Sequence, residues 1–305
     1  MPAPRVSIII TSYNQQAYLK EAIESVIHQT TRPDEIIIAD DHSTKDDSVE
    51  MIQGYVAQHP GWIRAVFQKE NLGIPKNRNR ALRLVTGHYV AILDGDDRFL
   101  PNNIESQLAA LAQHTEAGCS YSNRYSIDAD GERTGIRDSK PMPSGDILFQ
   151  VACGRSGILR SMIGRYDLIK AAGFLDERLP LHDGFVLTVH LAKRTRFIYL
   201  PEPLVEKREH KGGVSKALSS RQLAHYFEDV ATEVFKVTRH LPHWQRRRII
   251  KVWSRQILNP RVMAEVEAGR KWKALLDIAR AFARDPGNSR NVRSLIKAVF
   301  NPSTR

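Results

Sequence analysis

The feature that most constrains this chain is an alternation that fills its first hundred residues. The runs VSIIIT at 6–11, EIIIAD at 35–40, IRAVF at 63–67 and YVAILD at 89–94 are short, β-branched and apolar on both faces. That is the pattern of strands covered on two sides in a parallel sheet. Between them Tyr18, Ala22, Ser25, Val26 and Gln29 recur at three-to-four spacing, and residues 48–58 and 75–85 behave alike, so helices fill the crossovers. Strands joined by right-handed helical crossovers give an open, mainly parallel, doubly wound α/β sheet. Ligands of such sheets sit beyond the carboxyl ends of the strands. Here those ends read Thr11-Ser12-Tyr13-Asn14, Asp40-Asp41-His42-Ser43 and Asp94-Gly95-Asp96-Asp97, so acidic residues converge on one edge.

Beyond residue 100 the spacing predicts a helix over 103–114, a strand over 118–125, a turn at Asp128-Ala129-Asp130-Gly131 and an irregular loop over 137–160. Helices near 165–172 and 184–193, a strand at 196–200 and a polar loop over 206–216 complete a unit spanning 1–219. The remainder, 220–305, reads as helix throughout. Its charge sets it apart: from Lys236 onward seventeen lysines and arginines stand against four acids, a surplus of thirteen, while the whole chain carries +11, leaving −2 for the first 235 residues. That asymmetry calls for an anionic partner at the tail. The longest apolar stretches fall far short of the roughly 20 residues of a membrane span, and the first residues lack the apolar core of a secretory signal, so a cytoplasmic location is expected. Cys119 and Cys153 are too few for a four-ligand zinc site and suggest no disulfide framework.

No G-x-G-x-x-G follows the first strand and no P-loop motif occurs, so a dinucleotide fingerprint and a Walker site are both excluded. Instead VSIIITSYNQQAYLKEAIESVIHQT, IIIADDHSTKDDS, ENLGIPKNRNRAL, AILDGDDRFLP, LHDGFVLTVHLAKR and KREHKGGVS occur in that order over residues 5–215. This series resembles the family 2 glycosyltransferases of the GT-A fold. The resemblance implies a nucleotide-diphospho-sugar transferase fold, with 1–100 as its nucleotide-binding half, 101–219 as its acceptor half and 220–305 as a basic helical C-terminal extension. It places Thr11 and Tyr13 against the nucleotide base and makes Asp41 the acceptor of the uracil imide hydrogen. Arg78 is then the basic residue of the nucleotide site, with Asn77 where the family usually has alanine, and Asp94 lies near the ribose.

A departing diphosphate needs a divalent cation or fixed positive charge, and Mn2+ and Mg2+ prefer carboxylate and phosphate oxygens. By the resemblance Asp96 binds that metal, with Asp97 able to exchange roles with it, and His210 completes the metal site or its surroundings. Lys207 or Arg208 meets the diphosphate, and the loop at Gly212-Gly213 orders over the donor as a lid. Asp183 is the expected catalytic base for an inverting displacement, although His182 stands where the family has a glutamate; an Asp at that place also suits a helix cap.

The expected partners are a nucleotide-sugar donor, most simply UDP-linked, and a saccharide or lipid-linked acceptor in surface polysaccharide or glycoconjugate synthesis; a homo-oligomer stays open. Two other readings compete: a related sugar nucleotidyltransferase, against which TSYNQQ lacks a Gly-rich basic loop, and a non-catalytic module whose tail grips nucleic acid. For the tail itself the apolar stripes of three helical segments, 243–258, 271–284 and 291–300, carry Trp244, Ile249, Trp253, Trp272, Leu276, Phe282, Leu295 and Phe300 flanked by cations. Such helices suit attachment to the inner face of an anionic membrane, or packing against the protein itself.

Overall fold

The computed structural model describes residues 5–154, 157–180, 183–210, 219–285 and 289–300. The chain divides into two compact units, Met1–Leu148 with Ser156–Gly213, and Phe149–Arg155 with Val214–Arg305.

The first unit opens with β1 (Val6–Ser12), α1 (Gln16–Ile27), β2 (Glu35–Asp40), α2 (Ser48–Gln58), β3 (Ile63–Phe67), α3 (Ile74–Leu82) and β4 (Tyr89–Asp94). β1 lies between β2 and β4, and β2 pairs with β3, all parallel, with Ile9 opposite both Ile37 and Ile92. Ile8, Ile9, Ile10, Ile36, Ile37 and Ile38 are fully buried. Because successive side chains point to opposite faces, this means both faces of the sheet are covered, which is why the runs carry no polar alternation. Each such side chain gains about 1.5–3 kcal/mol on leaving water.

The second half of this unit is built differently. It comprises β5 (Arg98–Phe99), α4 (Asn103–Gln113), β6 (Ala117–Ile127), β7 (Arg133–Ile136), the start of α5 (Leu148–Ala152), β8 (Met162–Arg165), α6 (Tyr166–Ala171), α7 (Asp183–Ala192) and β9 (Arg196–Arg208). Among the described residues the strand order is β3-β2-β1-β4-β8-β6-β9-β5, with β7 on β6. β8 is antiparallel to both β4 and β6, β9 is parallel to β6, and β5 is antiparallel to β9. The sheet is therefore wholly parallel over its first four strands and mixed beyond them, the GT-A arrangement.

Three expectations need correction. The stretch 137–160 is not irregular throughout, since it contains α5 and ends in a 3-10 turn, Leu159–Ser161. The polar loop expected from Glu206 is still strand: β9 runs to Arg208, with Glu206 opposite Arg98 and Tyr125. Glu206 reads as a loop residue because its charge is buried in pairs with Arg98 at 2.9 Å and Arg133 at 2.7 Å, which no local pattern reveals.

In the second unit α8 (Ser220–Thr238) begins with a capping box, in which Gln222 N donates to Ser219 Oγ and Ser219 N donates to Gln222 Oε1. It is followed by α9 (His243–Glu267), α10 (Lys271–Arg284) and α11 (Ser289–Phe300). The third correction falls here: the segment expected to stop at 258 continues to Glu267 with Pro260 inside it. An interior proline costs about 3 kcal/mol; burial of Leu258, Val262 and Val266 against Ala274, Ile278, Val292, Leu295 and Val299 offsets it. No helix of the described residues is long and apolar enough to cross a membrane.

Candidate active site

The ends of β1 and β2 are laced together. Asn14 takes a left-handed backbone conformation (φ 49°), which asparagine tolerates. It is held there because its Oδ1 accepts from Thr44 N at 3.0 Å and Lys45 N at 3.1 Å, while its own N donates to Ser43 Oγ at 2.7 Å. Asp40 is buried and accepts from Ser43 N and Oγ. Asp41, equally buried, accepts from Leu72 N through Oδ1 and Gly73 N through Oδ2, each at 2.8 Å, tying the end of β2 to the entry of α3. A carboxylate offers about four acceptor positions, so two bonds do not exhaust it. Burial is the largest influence and raises its pKa above the ordinary value, with a smaller push from Asp40, against the downward pull of the two amides. Tyr13 stands 43% exposed beside this turn, with its ring open to solvent.

At the end of β4 the carboxylates of Asp94, Asp96 and Asp97 each bring an oxygen within 4.8 Å of the others. Arg78, from α3, donates through Nη2 to Asp94 Oδ1; Thr11 Oγ1 approaches the same oxygen at 3.5 Å. Arg160 Nη1 reaches Asp94 Oδ2 at 3.0 Å and Asp97 Oδ2 at 3.7 Å. Burial alone would raise Asp94, but Arg78 and Arg160 outweigh it and hold that carboxyl below its usual range. Asp97 goes the other way: burial, then the charges of Asp96 and Asp94, push it well up. His210 Nε2 lies 3.0 Å from Asp96 Oδ2, and its ring packs 5.2 Å from that of Tyr18. Three converging hard-oxygen donors suit a divalent cation of the magnesium or manganese type.

Of the residues expected to meet the diphosphate, Arg208 is committed elsewhere. Its side chain is 1% exposed; Nε donates to Asp96 O, Nη1 to Asp128 O and Ala129 O, and Nη2 to Glu21 at 2.6 Å. Its backbone N donates to Asp97 Oδ1 at 2.9 Å, and the guanidinium lies 4.5 Å from the Tyr18 ring centroid. It is thus the clamp that fixes the backbone beneath the acidic cluster. Lys207 reaches Glu209 at 3.3 Å and is partly exposed. Asp183 is the first residue of α7, but its side chain, with His182 and the 211–218 stretch that holds Gly212-Gly213, lies outside the described residues. The structure therefore brings together Thr11, Arg78, Asp94, Asp96 and His210, with Arg208 beneath them. Sequence reasoning missed Arg160 and Glu21, whose partners lie 66 and 187 residues away and leave no local signature.

Comparison with known proteins bears on this arrangement. The family model described as glycosyl transferase family 2 matches residues 7–163, just over half of the chain. A chondroitin synthase of Escherichia coli is 38% identical over 128 residues, 42% of this chain and 18% of that protein. A glycosyltransferase of Methanocaldococcus jannaschii, described as uncharacterized, is 35% identical over 142 residues, 46% of this chain and 48% of that one. The chain thus spans less than half the length of either relative. Among solved structures, S. aureus TarS 1-349 in complex with UDP-GlcNAc superposes with a TM-score of 0.69 at 17% identity, covering 98% of this chain and 92% of that one.

Proposed function

Because this chain belongs to glycosyl transferase family 2, we propose that it moves a sugar from a nucleotide donor, UDP-linked, to a saccharide or lipid-linked acceptor in surface polysaccharide or glycoconjugate synthesis. The observation that carries the reading is the acidic cluster at the carboxyl edge of the parallel strands, already bonded to Arg78. Neither a nucleotidyltransferase nor a nucleic-acid module accounts for that family match. The UDP-GlcNAc in the TarS complex and the saccharide product in the name of the chondroitin synthase both support this choice of substrates.

In this reading Tyr13 and Thr11 line the base, and Asp41, fixed by two amides, accepts from the uracil imide. Asp96 holds a divalent cation together with Asp94 or Asp97, with His210 beside them. When bound, manganese or magnesium supplies charge neutralisation to the diphosphate. Arg78 and Lys207 contribute fixed positive charge there, while Arg208 keeps the Asp96 and Asp97 backbone in place. Asp183 takes the acceptor hydroxyl proton, worth about 10² to 10⁴ in rate, and with a single base the anomeric centre inverts. Turnover of a UDP-sugar panel tests the scheme: Asp96→Asn should lose more than about a hundredfold, and excess EDTA should stop the reaction. Full activity in either case removes the metal. Asp183→Asn at wild-type kcat, or a product of retained configuration by NMR, removes the inverting base.

The tail we read as an attachment to an anionic membrane face. α10 buries Ala274 and Ile278 on one side and exposes Trp272, Leu276 and Phe282 on another. α11 exposes Ile296 and Phe300 likewise. Ile249, Trp253 and Leu295, expected in the same stripes, are instead buried, so only part of the predicted apolar surface is available. The four acids from Lys236 onward are engaged locally: Glu265 by Arg270 and Lys273, Asp277 by Arg261, Asp285 by Lys251 and Arg255, and Glu267 by Ser220. Lys271, Arg280, Arg293 and Lys297 have no carboxylate partner among the described residues and flank the exposed apolar positions. A second copy of so positive a face would repel it, whereas an anionic leaflet attracts it.

A further inference from the structure

Beside the acidic cluster, β6 carries a charge that the transferase scheme leaves unused. Arg124 is 3% exposed, yet no carboxylate of the described residues lies within ion-pair distance of its guanidinium. Its side-chain hydrogen bond runs from Nη1 to Gly157 O at 2.6 Å. The guanidinium borders a small pocket lined also by Arg137, Asp138, Tyr121, Met142 and Ser161. Asp138 sits 3.9 Å from Arg137 and outside ion-pair distance of Arg124, so the buried charge itself has no carboxylate against it among the described residues. The next nearby cation, Arg160, is taken up by Asp94 and Asp97.

Two features of the backbone serve this placement. The β6–β9 register shifts on both sides of Asn123, immediately before Arg124, and such bulges re-aim side chains next to sites. Gly157 has φ +81°, and a Cβ there would stand 2.5 Å from Arg124 Nη2, so only glycine lets the guanidinium lie where it does. A buried, unneutralised charge is costly to keep. Burial first, and then Arg137 and Arg160, drive the Arg124 pKa down to about 10.

We infer that this pocket receives an oxyanion carried by a substrate, a carboxylate or a phosphate group, with Arg124 as its buried anchor and Arg137 at its rim. A guanidinium fork matches either group by two parallel hydrogen bonds. The assignment of the anion to donor or acceptor rests on the sugar-transfer reading; the presence of the site does not. A carboxylate would belong to a uronic acid on the donor, and a phosphate to the acceptor.

Isothermal titration decides between these sources. In one arm UDP-glucuronic acid and UDP-glucose are compared in the presence of manganese; in the other, inorganic phosphate is titrated onto protein saturated with UDP and manganese. Wild type should favour the uronate about tenfold or more, assigning the anion to the donor, or bind phosphate in the second arm, assigning it to the acceptor. Arg124→Met should remove that preference at unchanged affinity for UDP, and Arg137→Gln, at the more exposed rim, should weaken it. The ligand-free melting temperature of Arg124→Met should be unchanged or higher, since a charge without a partner is being removed. The inference is overturned if wild type discriminates in neither arm, or if Arg124→Met keeps the preference. It is also overturned if Arg124→Met fails to fold while Arg137→Gln binds like wild type. If UDP itself does not bind, the transferase reading fails instead, and phosphate titrated onto the nucleotide-free protein still tests the pocket.

Discussion

Replacing Arg208 by methionine separates two roles that the side chain could hold, clamp and diphosphate ligand. The substitution removes charged donors from the carbonyls of Asp96, Asp128 and Ala129, in a place where the guanidinium is 1% exposed. Bonds of this kind are worth about 1.5–3 kcal/mol each, but they are not additive because the loop between them relaxes. The pair with Glu21 adds little, since the Glu21 side chain is 42% exposed and its charge stays solvated after the loss. A net cost of about 3–5 kcal/mol follows. For a unit of about 200 residues each kcal/mol moves the midpoint by roughly 2–4 °C, so melting should fall by about 10 °C. Circular dichroism of the nucleotide-free protein measures this, and Arg208→Lys, which keeps the charge but loses the fork, should fall part of the way. A midpoint within about 2 °C of wild type, together with a large loss of UDP affinity, would refute the clamp and return Arg208 to the diphosphate.

Two further outcomes are expected. Glu35 accepts from Ser7 Oγ, from Thr86 N and Oγ1, and from Arg64; burial pushes its carboxyl up, but these partners outweigh it and bring it below its ordinary value of 4.5. Its contribution to stability is therefore fully present above pH 4.5 and is lost as pH falls through the lowered folded value; urea midpoints between pH 6 and pH 3 should decline less steeply in Glu35→Gln, and equal slopes would show that the pair contributes nothing. The tail should sediment with vesicles containing phosphatidylglycerol but not with pure phosphatidylcholine, less so at high salt, and Trp272→Ala with Phe282→Ala should release it without lowering the melting point; binding to neutral vesicles, dimerisation lost in the same variant, or a shift of DNA in place of vesicles would each argue for another occupant.

The first four strands were legible almost to the residue, because isoleucine-rich runs buried on both faces leave little freedom in where a strand begins or ends. The carboxyl-edge residues followed from them, since the edge of a parallel sheet is where its loops must turn. What stayed hidden depends on distance in the chain. Arg160 sits in GILRSM, a stretch with no pattern, and becomes part of the site only because the 3-10 turn delivers it to Asp94. Glu206 and Arg208 looked like loop residues because buried charge pairs and exposed charges are spelled alike. The tail shows the same limit: a helical stripe tells that Trp253 and Trp272 are apolar positions, but only tertiary packing tells that the first donates its Nε1–H to Ala152 O in a buried contact while the second is 85% exposed.

The length of β9 has a consequence of its own. A strand advances about 3.3 Å per residue and alternates faces, so it behaves as a ruler with two sides. From the register shift facing Asn123, where the partner is Pro203, to Arg208, the count is fixed at both ends: Val205 meets Phe99 and Arg124, and Arg208 drops into the slot beneath Asp96. One residue added or removed in between would bring the flexible ammonium of Lys207, or the carboxylate of Glu209, to the slot and turn the guanidinium to the opposite face. Descendants of this chain can exchange many side chains along β9 and still assemble the site, but an insertion or deletion of a single codon there dismantles it.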